Sequence, residues 1–233
     1  MRNYCIINGN YSDELTGLLI QSLPPISKPL MRTQIETIDG RDGDIVTKLG
    51  YSAYDKTMTI GLYGSFDIDD VISFFDTEGT IIFSNELDKI YNFTMVNQID
   101  FERLLRFRTA TVTLHVQPYK YSAMETPISE ENDFTDIRVT NLGNAIAKPT
   151  LTIYGSGTIS VYLNGSQIFQ IAMGSYNNIT IDTEEMNAYM GSVLLNRNVT
   201  GNYESFSLEM GDNLITVDGA VTQVEITKYS RWI

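Results

Sequence analysis

The segment "TIDGRDGDI" at residues 37–45 concentrates side chains that could hold an ion. It carries three aspartates and two glycines within nine residues. Carboxylates in a loop are typical calcium ligands, and glycine-rich loops bind phosphate. An EF-hand needs oxygen ligands at positions 1, 3 and 5, but counting from Asp39 puts Arg41 third and Gly43 fifth. No P-loop signature is present, so the sequence favours turns at Gly40 and Gly43 over a metal or phosphate site.

Residues suited to nucleophilic catalysis are scarce. Cys5 is the sole cysteine and His115 the sole histidine, and the sequence leaves open whether the two side chains meet. The motifs of serine hydrolases and zinc proteases do not occur, and zinc sites usually need several His or Cys ligands. A pair of catalytic carboxylates, as in glycosidases, stays an open alternative because 29 acidic residues are present. We therefore expect no enzymatic activity, no cofactor and no metal, with a cell-wall hydrolase as the weakest alternative.

Two further groups of side chains could contact a partner. Tyr154, Tyr162 and Trp232 could stack on sugar rings, although aromatic side chains more often fill strand pairs and cores. The segment "LLRFRTA" forms a short basic patch between two predicted strand segments, where a solvated hairpin rim is the simpler interpretation. Its three cations are Arg103, Arg106 and Arg108.

Composition limits the kind of protein that can present these groups. The chain has 233 residues, with 42% hydrophobic and 19% charged residues, which predicts a packed core. Its formal net charge of −13 disfavours binding to nucleic acid and is compatible with a basic protein partner. A single cysteine allows no intramolecular disulfide, as in proteins that fold in a reducing cytoplasm. We expect neither a signal peptide nor a membrane span.

Alternation of apolar and polar residues predicts that strands dominate the fold. In each of the segments "TMTIGLYG", "TVTLHVQP" and "TISVYLNG", apolar residues occupy every second position and therefore lie on one face of the strand. In the second segment His115 falls on the polar face. Asn164-Gly165 and Asp218-Gly219 each lie between two such runs, and both dipeptides predict a tight hairpin.

One helix is predicted in "SFDIDDVISFFDTEG". Its apolar residues follow helical spacing, at Ile68, Val71, Ile72 and Phe75. Ser65 or Asp67 can cap the start, and Gly79 can close the end. A second, shorter helical turn is expected near Asp182 in "DTEEMNAYM".

The polar and acidic stretch 119–136 predicts a boundary between two domains. We expect residues 1–120 to form a β-rich domain with one helix. Residues 121–134 are expected to link it to a β-sandwich over residues 135–233.

The order of these motifs resembles one known family. A "GRDGDI" loop precedes the strand "YDKTMTIGLYG", the amphipathic helix, the strand "GTIIFS" and the ending "TVTLHVQPYKY". The second half carries "VTNLGNAIAKPTLTIYGSGTISVYLNG" and then "LEMGDNLITVDG". This arrangement resembles the distal tail (Dit) proteins of long-tailed, non-contractile bacteriophages over nearly the whole chain. One departure is Phe74-Phe75, where the family often has Trp-Leu.

The resemblance implies a structural hub at the tip of a phage tail. The expected fold is an N-terminal β-barrel-like domain with one helix and an extended arm, followed by a galectin-like β-sandwich. Six copies are expected to form a ring that joins the tail tube protein to the tail-associated tip protein. The second domain is expected to dock receptor-binding or baseplate proteins, with no membrane or specific nucleic-acid contact. The protein would be made in the host cytoplasm and located at the virion tail tip.

The resemblance and the charges together suggest which residues make ring contacts. We expect the loop and the basic patch to do so, which comprise Asp39, Gly40, Arg41, Asp42, Gly43, Arg103, Arg106 and Arg108. The alternative hypothesis is a carbohydrate-binding adhesin that uses Tyr154, Tyr162 or Trp232.

Overall fold

The structure, a computed structural model, describes residues 2–95, 99 and 101–233, and the side chains of Phe101 and Arg103 lie outside the described part. The chain divides into two compact units. The first covers Met1–Ala123 and Ile233, and the second covers Met124–Trp232. Among the described residues, no helix is both long and apolar enough to span a bilayer.

The first unit is built mainly from antiparallel strands. They are β1 (Cys5–Ile7), β2 (Asn10–Tyr11), β3 (Leu18–Ser22), β4 (Met31–Thr37), β5 (Asp44–Tyr51), β6 (Tyr54–Leu62), β7 (Glu78–Phe83), β8 (Lys89–Thr94) and β9 (Thr109–Ser122). Seven of them pair in the order β2-β1-β7-β8-β9-β6-β3. The other two, β4 and β5, pair with each other as a separate two-stranded ribbon.

The predicted alternation in this unit is confirmed. Met58 and Ile60 on β6 and Val112 and Leu114 on β9 are buried in one hydrophobic core. Thr111 on the opposite face of β9 is exposed and His115 is partly exposed. Period-two side chains therefore give the sheet one apolar face, which packs against the helices.

The predicted helix is present as α1 (Ile68–Phe75). Asp67 caps it, because its side chain accepts a hydrogen bond from the Asp69 amide at 2.9 Å. Val71 and Phe75 are fully buried under the sheet. The predicted end at Gly79 is wrong, since the helix stops at Phe75 and Gly79 lies inside β7.

A second short helix, α2 (Phe101–Phe107), occupies the segment that was expected to form a hairpin rim. Leu104 anchors it in the core, while Leu105 and Phe107 are exposed. The residue that ends the helix, Arg108, has a positive φ of 59° and leads directly into β9. The rim interpretation was wrong because 101–107 forms a helix, in which Leu104 is the buried residue among the described side chains.

The second unit is also built from strands. They are β10 (Ile128–Glu130), β11 (Ile137–Asn141), β12 (Thr150–Leu163), β13 (Ser166–Ala172), β14 (Asn178–Asp182), β15 (Asn187–Met190), β16 (Val193–Leu194), β17 (Val199–Gly201), β18 (Gly211–Thr227) and β19 (Arg231–Trp232). Two 3-10 turns lie at Asn196–Asn198 and Tyr203–Ser205. A continuous core fills this unit, with Ile153, Val161, Phe169, Ile181, Phe206 and Ile226 among its members.

The long strands β12 and β18 pair along most of their length and bend together in the middle. The first half of β12 also pairs with β14, and the second half pairs with β13. The register breaks between Ser156 and Ser160, where three residues of β12 oppose one residue of β18. This bulge lets the paired strands curl over the core from both sides, as a β-sandwich requires.

The two predicted hairpins have different outcomes. The hairpin at Asn164-Gly165 is confirmed, with φ angles of 50° and 83° joining β12 to β13. The prediction of a hairpin at Asp218-Gly219 is wrong, because β18 continues through both residues. Gly219 has a φ of 133° and supplies the bulge instead of a turn.

The helical turn expected near Asp182 is a non-helical turn, in which the Asp182 carboxylate accepts hydrogen bonds from the amides of Glu184 and Glu185.

Candidate functional site

The "GRDG" loop forms the tip of the two-stranded ribbon made by β4 and β5, which we call the arm. Residues 38–43 connect its two strands, and Gly40 and Gly43 have φ angles of 80° and 78°. The Arg41 amide donates to the carbonyl oxygen of Ile38 at 3.2 Å, which closes the turn. The glycines therefore serve the backbone. In the described part of the chain, no three His, Cys, Asp or Glu side chains are grouped to hold a metal ion.

Almost every side chain of the arm is exposed, including several that are apolar. Ile35 and Val46 lie directly opposite each other on one face, and they are 60% and 55% exposed. Leu30 at its base and Leu49 on β5 are also exposed. An isolated ribbon with open edges is only marginally stable in water and is prone to pair with another chain. These apolar residues are functional candidates that the sequence analysis missed.

The chain segment that leads into the arm is held to the first sheet by a buried lysine. Lys56 on β6 is 3% exposed, and its Nζ donates to the carbonyl oxygen of Pro25 at 2.9 Å. The same Nζ lies 4.8 Å from the ring centre of Tyr91. Glu86 completes the group, because it accepts hydrogen bonds from both Tyr91 and Lys120.

Burial sets the protonation of this lysine. Loss of water contacts lowers the pKa of Lys56 to about 8, and the nearby Glu86 carboxylate opposes part of that shift. Burial and the hydrogen bond to Glu86 both raise the pKa of Tyr91. Lys56 was part of an alternating strand in the sequence, on the apolar side with Met58, and this position was the available signal for its burial.

The basic segment joins neighbouring aromatic rings to form what we call the cationic patch. The Cζ of Arg108 lies 4.6 Å from the ring centre of Phe66, and that of Arg106 lies 5.5 Å from the ring of Phe107. Arg2 adds a third pair with Tyr63, at 5.5 Å. The patch thus consists of Arg2, Tyr63, Phe66, Arg106, Phe107 and Arg108. The side chain of Arg103, also predicted to contribute, lies outside the described residues.

The arm root and the cationic patch lie at opposite ends of β6. The arm ends at Tyr51, and Tyr54 begins β6. At the other end, the Leu62 amide donates to the Arg108 carbonyl oxygen at 3.2 Å, and Tyr63 follows. Nine residues of extended strand separate the two surfaces by about 27 Å. The predicted contact residues therefore form two separate surfaces on the first unit.

Cys5 and His115 do not form a catalytic pair. Cys5 is fully buried on β1, and burial raises the pKa of its thiol to about 12. His115 is on β9, three strand positions away in the sheet, or about 14 Å. Its Nδ1 lies 2.8 Å from a carboxylate oxygen of Asp55 on the outer face. A protonated, buried thiol without a base is not a nucleophile.

The three aromatic side chains proposed for sugar stacking are all half-buried. Tyr154 and Tyr162 stand on the two halves of β12, on either side of the bulge. Eight residues and the bulge separate them along β12, so the two rings lie on different halves of the bent strand. Trp232 lies on the short strand β19.

Comparison with known proteins gives a match at the level of structure. No protein-family model matches the sequence, and no curated protein matches it by sequence search. The crystal structure of the Dit protein (gp 19.1) of phage SPP1 is similar over 98% of this chain and 100% of that chain, with a TM-score of 0.67 and 16% identity. A chain of the phage p2 baseplate in its activated conformation with Sr is similar over 98% of both chains, with a TM-score of 0.52 and 10% identity.

These two matches extend through both units. Identities of 16% and 10% establish a shared fold and nothing finer. The protein therefore has the fold of the phage distal tail protein over nearly its whole length, as its motifs predicted.

Proposed function

We propose that this protein is a structural hub of a bacteriophage tail tip. The observation that carries the proposal is the full-length similarity to SPP1 Dit, which is described as a paradigm of the hub adsorption apparatus in phages that infect Gram-positive bacteria. The similar p2 chain is likewise part of a baseplate. In this role the protein joins the tail tube protein to the tail-associated tip protein.

The first unit is the part that forms the ring in this proposal. A ring of six copies repeats one heterologous contact, in which two different surfaces of each copy meet. The arm and the cationic patch are two such surfaces at opposite ends of β6. The exposed apolar residues of the arm, Ile35 and Val46, supply area that association would bury.

The second unit is the docking platform in this proposal. It exposes several large apolar side chains, which are Leu142, Met186, Val193, Leu194 and Met210. Exposed apolar residues on a well-packed sandwich favour contacts with other proteins, here receptor-binding or baseplate proteins. This unit would therefore act in host adsorption without chemistry of its own.

The geometry supports neither of the competing functions. A cysteine hydrolase needs a nucleophile, a base and an orienting group together, and Cys5 and His115 are far apart. A lectin needs exposed rings that share a platform, whereas Tyr154 and Tyr162 are half-buried and lie on different halves of β12. The proposed location is the virion tail tip, after synthesis in the cytoplasm of the host.

The ring is tested by measuring the mass of the purified protein by sedimentation and native mass spectrometry. We expect a species of six times the chain mass of 26.2 kDa, formed by the protein alone or with the tail tube and tip proteins. Negative-stain images of tails labelled with an antibody to this protein should show label at the tip. A strict monomer under every one of these conditions would contradict the ring, and label elsewhere on the virion would contradict the location.

A further inference from the structure

We propose that the acidic tip of the arm on one copy binds the cationic patch of the next copy. The arm tip is defined here as residues 36–44. This inference rests on the proposed ring, because it requires that copies of the chain associate. It adds which two surfaces meet and which charges hold them.

The arm tip carries a concentrated negative charge. Four carboxylates, on Glu36, Asp39, Asp42 and Asp44, stand against the single guanidinium of Arg41, which gives a net charge of −3. Asp44 accepts a hydrogen bond from the Thr37 hydroxyl at 3.2 Å. Within the part of the chain that the structure describes, Asp39 and Asp42 have neither an ion-pair nor a hydrogen-bond partner for their carboxylates.

The cationic patch carries the opposite charge in an acidic protein. Arg106 and Arg108 stack on Phe107 and Phe66, and neither guanidinium has a carboxylate partner among the described residues. Phe107 is 63% exposed. A guanidinium that lies on a ring is already oriented and only weakly hydrated, so it pairs with an incoming carboxylate at little cost in entropy.

The positions of the two surfaces favour contact between copies over contact within one copy. The arm begins at one end of β6 and the patch lies at the other end, about 27 Å away. Each strand of the arm has seven or eight residues and reaches about 25 Å. To meet its own patch the arm would have to lie along β6, whereas β4 and β5 pair with no strand of the first sheet and their side chains are almost all exposed. Contact with the next copy uses the same two surfaces without such a fold.

Charge reversal tests this contact. The tip variant is Asp39→Lys with Asp42→Lys, and the patch variant is Arg106→Glu with Arg108→Glu. Each should weaken the association of copies by about tenfold or more, since attraction becomes repulsion at two sites. The matched control for the tip variant is Glu131→Lys with Glu204→Lys, which makes the same gain of four positive charges at exposed positions of the second unit. Circular dichroism should show that all variants keep the native fold.

Mixing the two variants separates contact between copies from contact within one copy. A reversed tip is complementary to a reversed patch, so an alternating ring of both variants has attractive charges at every contact. The two variants can alternate around a closed ring because six is an even number. We therefore expect that an equimolar mixture assembles as the native protein does, at concentrations where each variant alone assembles poorly. An intramolecular contact would not be restored by mixing.

Each other result counts against the inference in a distinct way. Assembly of both variants alone, as in the native protein, would show that these charges do not face each other. Folded variants that fail both alone and in the mixture would assign the surfaces to other partners. Binding of duplex DNA that the patch variant loses while its ring persists would assign the patch to nucleic acid. A native chain that stays monomeric with its tail partners would reject the ring itself.

Discussion

Lys56 shows how one residue can link the sheet to the arm. Its ammonium group is buried, it donates to the Pro25 carbonyl oxygen, and it faces the ring of Tyr91. A buried lysine that holds its charge near neutral pH does so against a desolvation cost. The hydrogen bond and the carboxylate of Glu86 offset part of this cost. The residue thus holds the segment around Pro25, which leads into the arm, against the sheet.

We predict that replacing this lysine changes the pH dependence of stability. The pKa of Lys56 is lowered to about 8 in the folded protein from an ordinary value of 10.5. Between these values the unfolded state binds more protons, so the contribution of Lys56 to stability increases as pH rises from 8 to 10.5. The stability of the native protein relative to Lys56→Met should therefore increase over this window. Urea denaturation at pH 7, 8.5 and 10 measures the difference.

Two features make this comparison clean. The raised pKa of Cys5 also acts above pH 9, but Cys5 is common to both proteins and its effect cancels in the difference. Tyr91 contacts Lys56, so the comparison is read between pH 7 and 8.5, where the Tyr91 hydroxyl stays protonated. Lys48→Met, at an exposed position of the arm, is the control. A difference between the native protein and Lys56→Met that stays constant across the three pH values would show that Lys56 is not desolvated as described.

At the scale of elements, the bulge in β12 and β18 governs the second unit. A Cβ on Gly219 would lie 2.8 Å from the carbonyl oxygen of Thr158 and 3.2 Å from the Cα of Ile159. Its φ of 133° is in a region that other residues rarely adopt. Both the space and the backbone angle therefore require glycine where the two long strands bend together.

We predict that Gly219→Ala destabilises the second unit by about 2 kcal/mol or more, because it adds a backbone clash to conformational strain. Gly157→Ala is the matched control in the same bulge. Gly157 has a φ of 74° but open space where an alanine methyl group would lie, so the change should cost only about 1 kcal/mol. Thermal unfolding followed by circular dichroism tests both. Equal losses for the two variants would mean that the close approach to Thr158 does not matter.

The sequence predicted elements whose pattern was local and failed where long-range pairing decided. Alternation identified β6 and β9, and helical spacing with an acidic cap identified α1. Two Asx-Gly pairs looked alike, but Asp218-Gly219 lies in a strand because β12 pairs with it on both sides of the bulge. The short helix α2 was missed because it has only seven residues, and Leu104 is the only one whose described side chain is deeply buried.

The candidate surfaces were predictable to a similar extent. Charge and glycine content located the arm tip and the arginine cluster in the sequence. The apolar pair Ile35 and Val46 gave no distinct signal, since alternating strands with such residues usually face a core. Their exposure follows from the isolation of β4 and β5 from both cores, which only the tertiary structure reveals.

At the scale of the whole molecule, the apolar arm residues should matter for assembly and not for folding. We predict that Ile35→Thr with Val46→Thr weakens ring association by about tenfold or more, because apolar area is no longer buried between copies. The melting temperature of the monomer should change little, since neither side chain belongs to the hydrophobic core. Sedimentation across a range of concentrations measures the association.

A matched pair in the second unit serves as the control. Val193→Thr with Leu194→Thr removes similar apolar area at exposed positions of β16. This control should leave the ring intact and should instead reduce binding of the docked tail proteins. Loss of assembly in the control, or none in the arm variant, would place the ring contact on the other unit.

In the proposed ring, the placement of arm and patch at opposite ends of β6 has a consequence for how the assembly grows. Each neighbour contacts only one of the two surfaces, so every linear oligomer has one unoccupied arm tip and one unoccupied cationic patch. Only the cyclic species leaves nothing unmatched. Its final contact forms within a single complex, where the effective concentration of the two partners far exceeds that in solution. Trimers and pentamers should therefore be scarce at equilibrium, and dilution should convert complete circles into single subunits with few species between them.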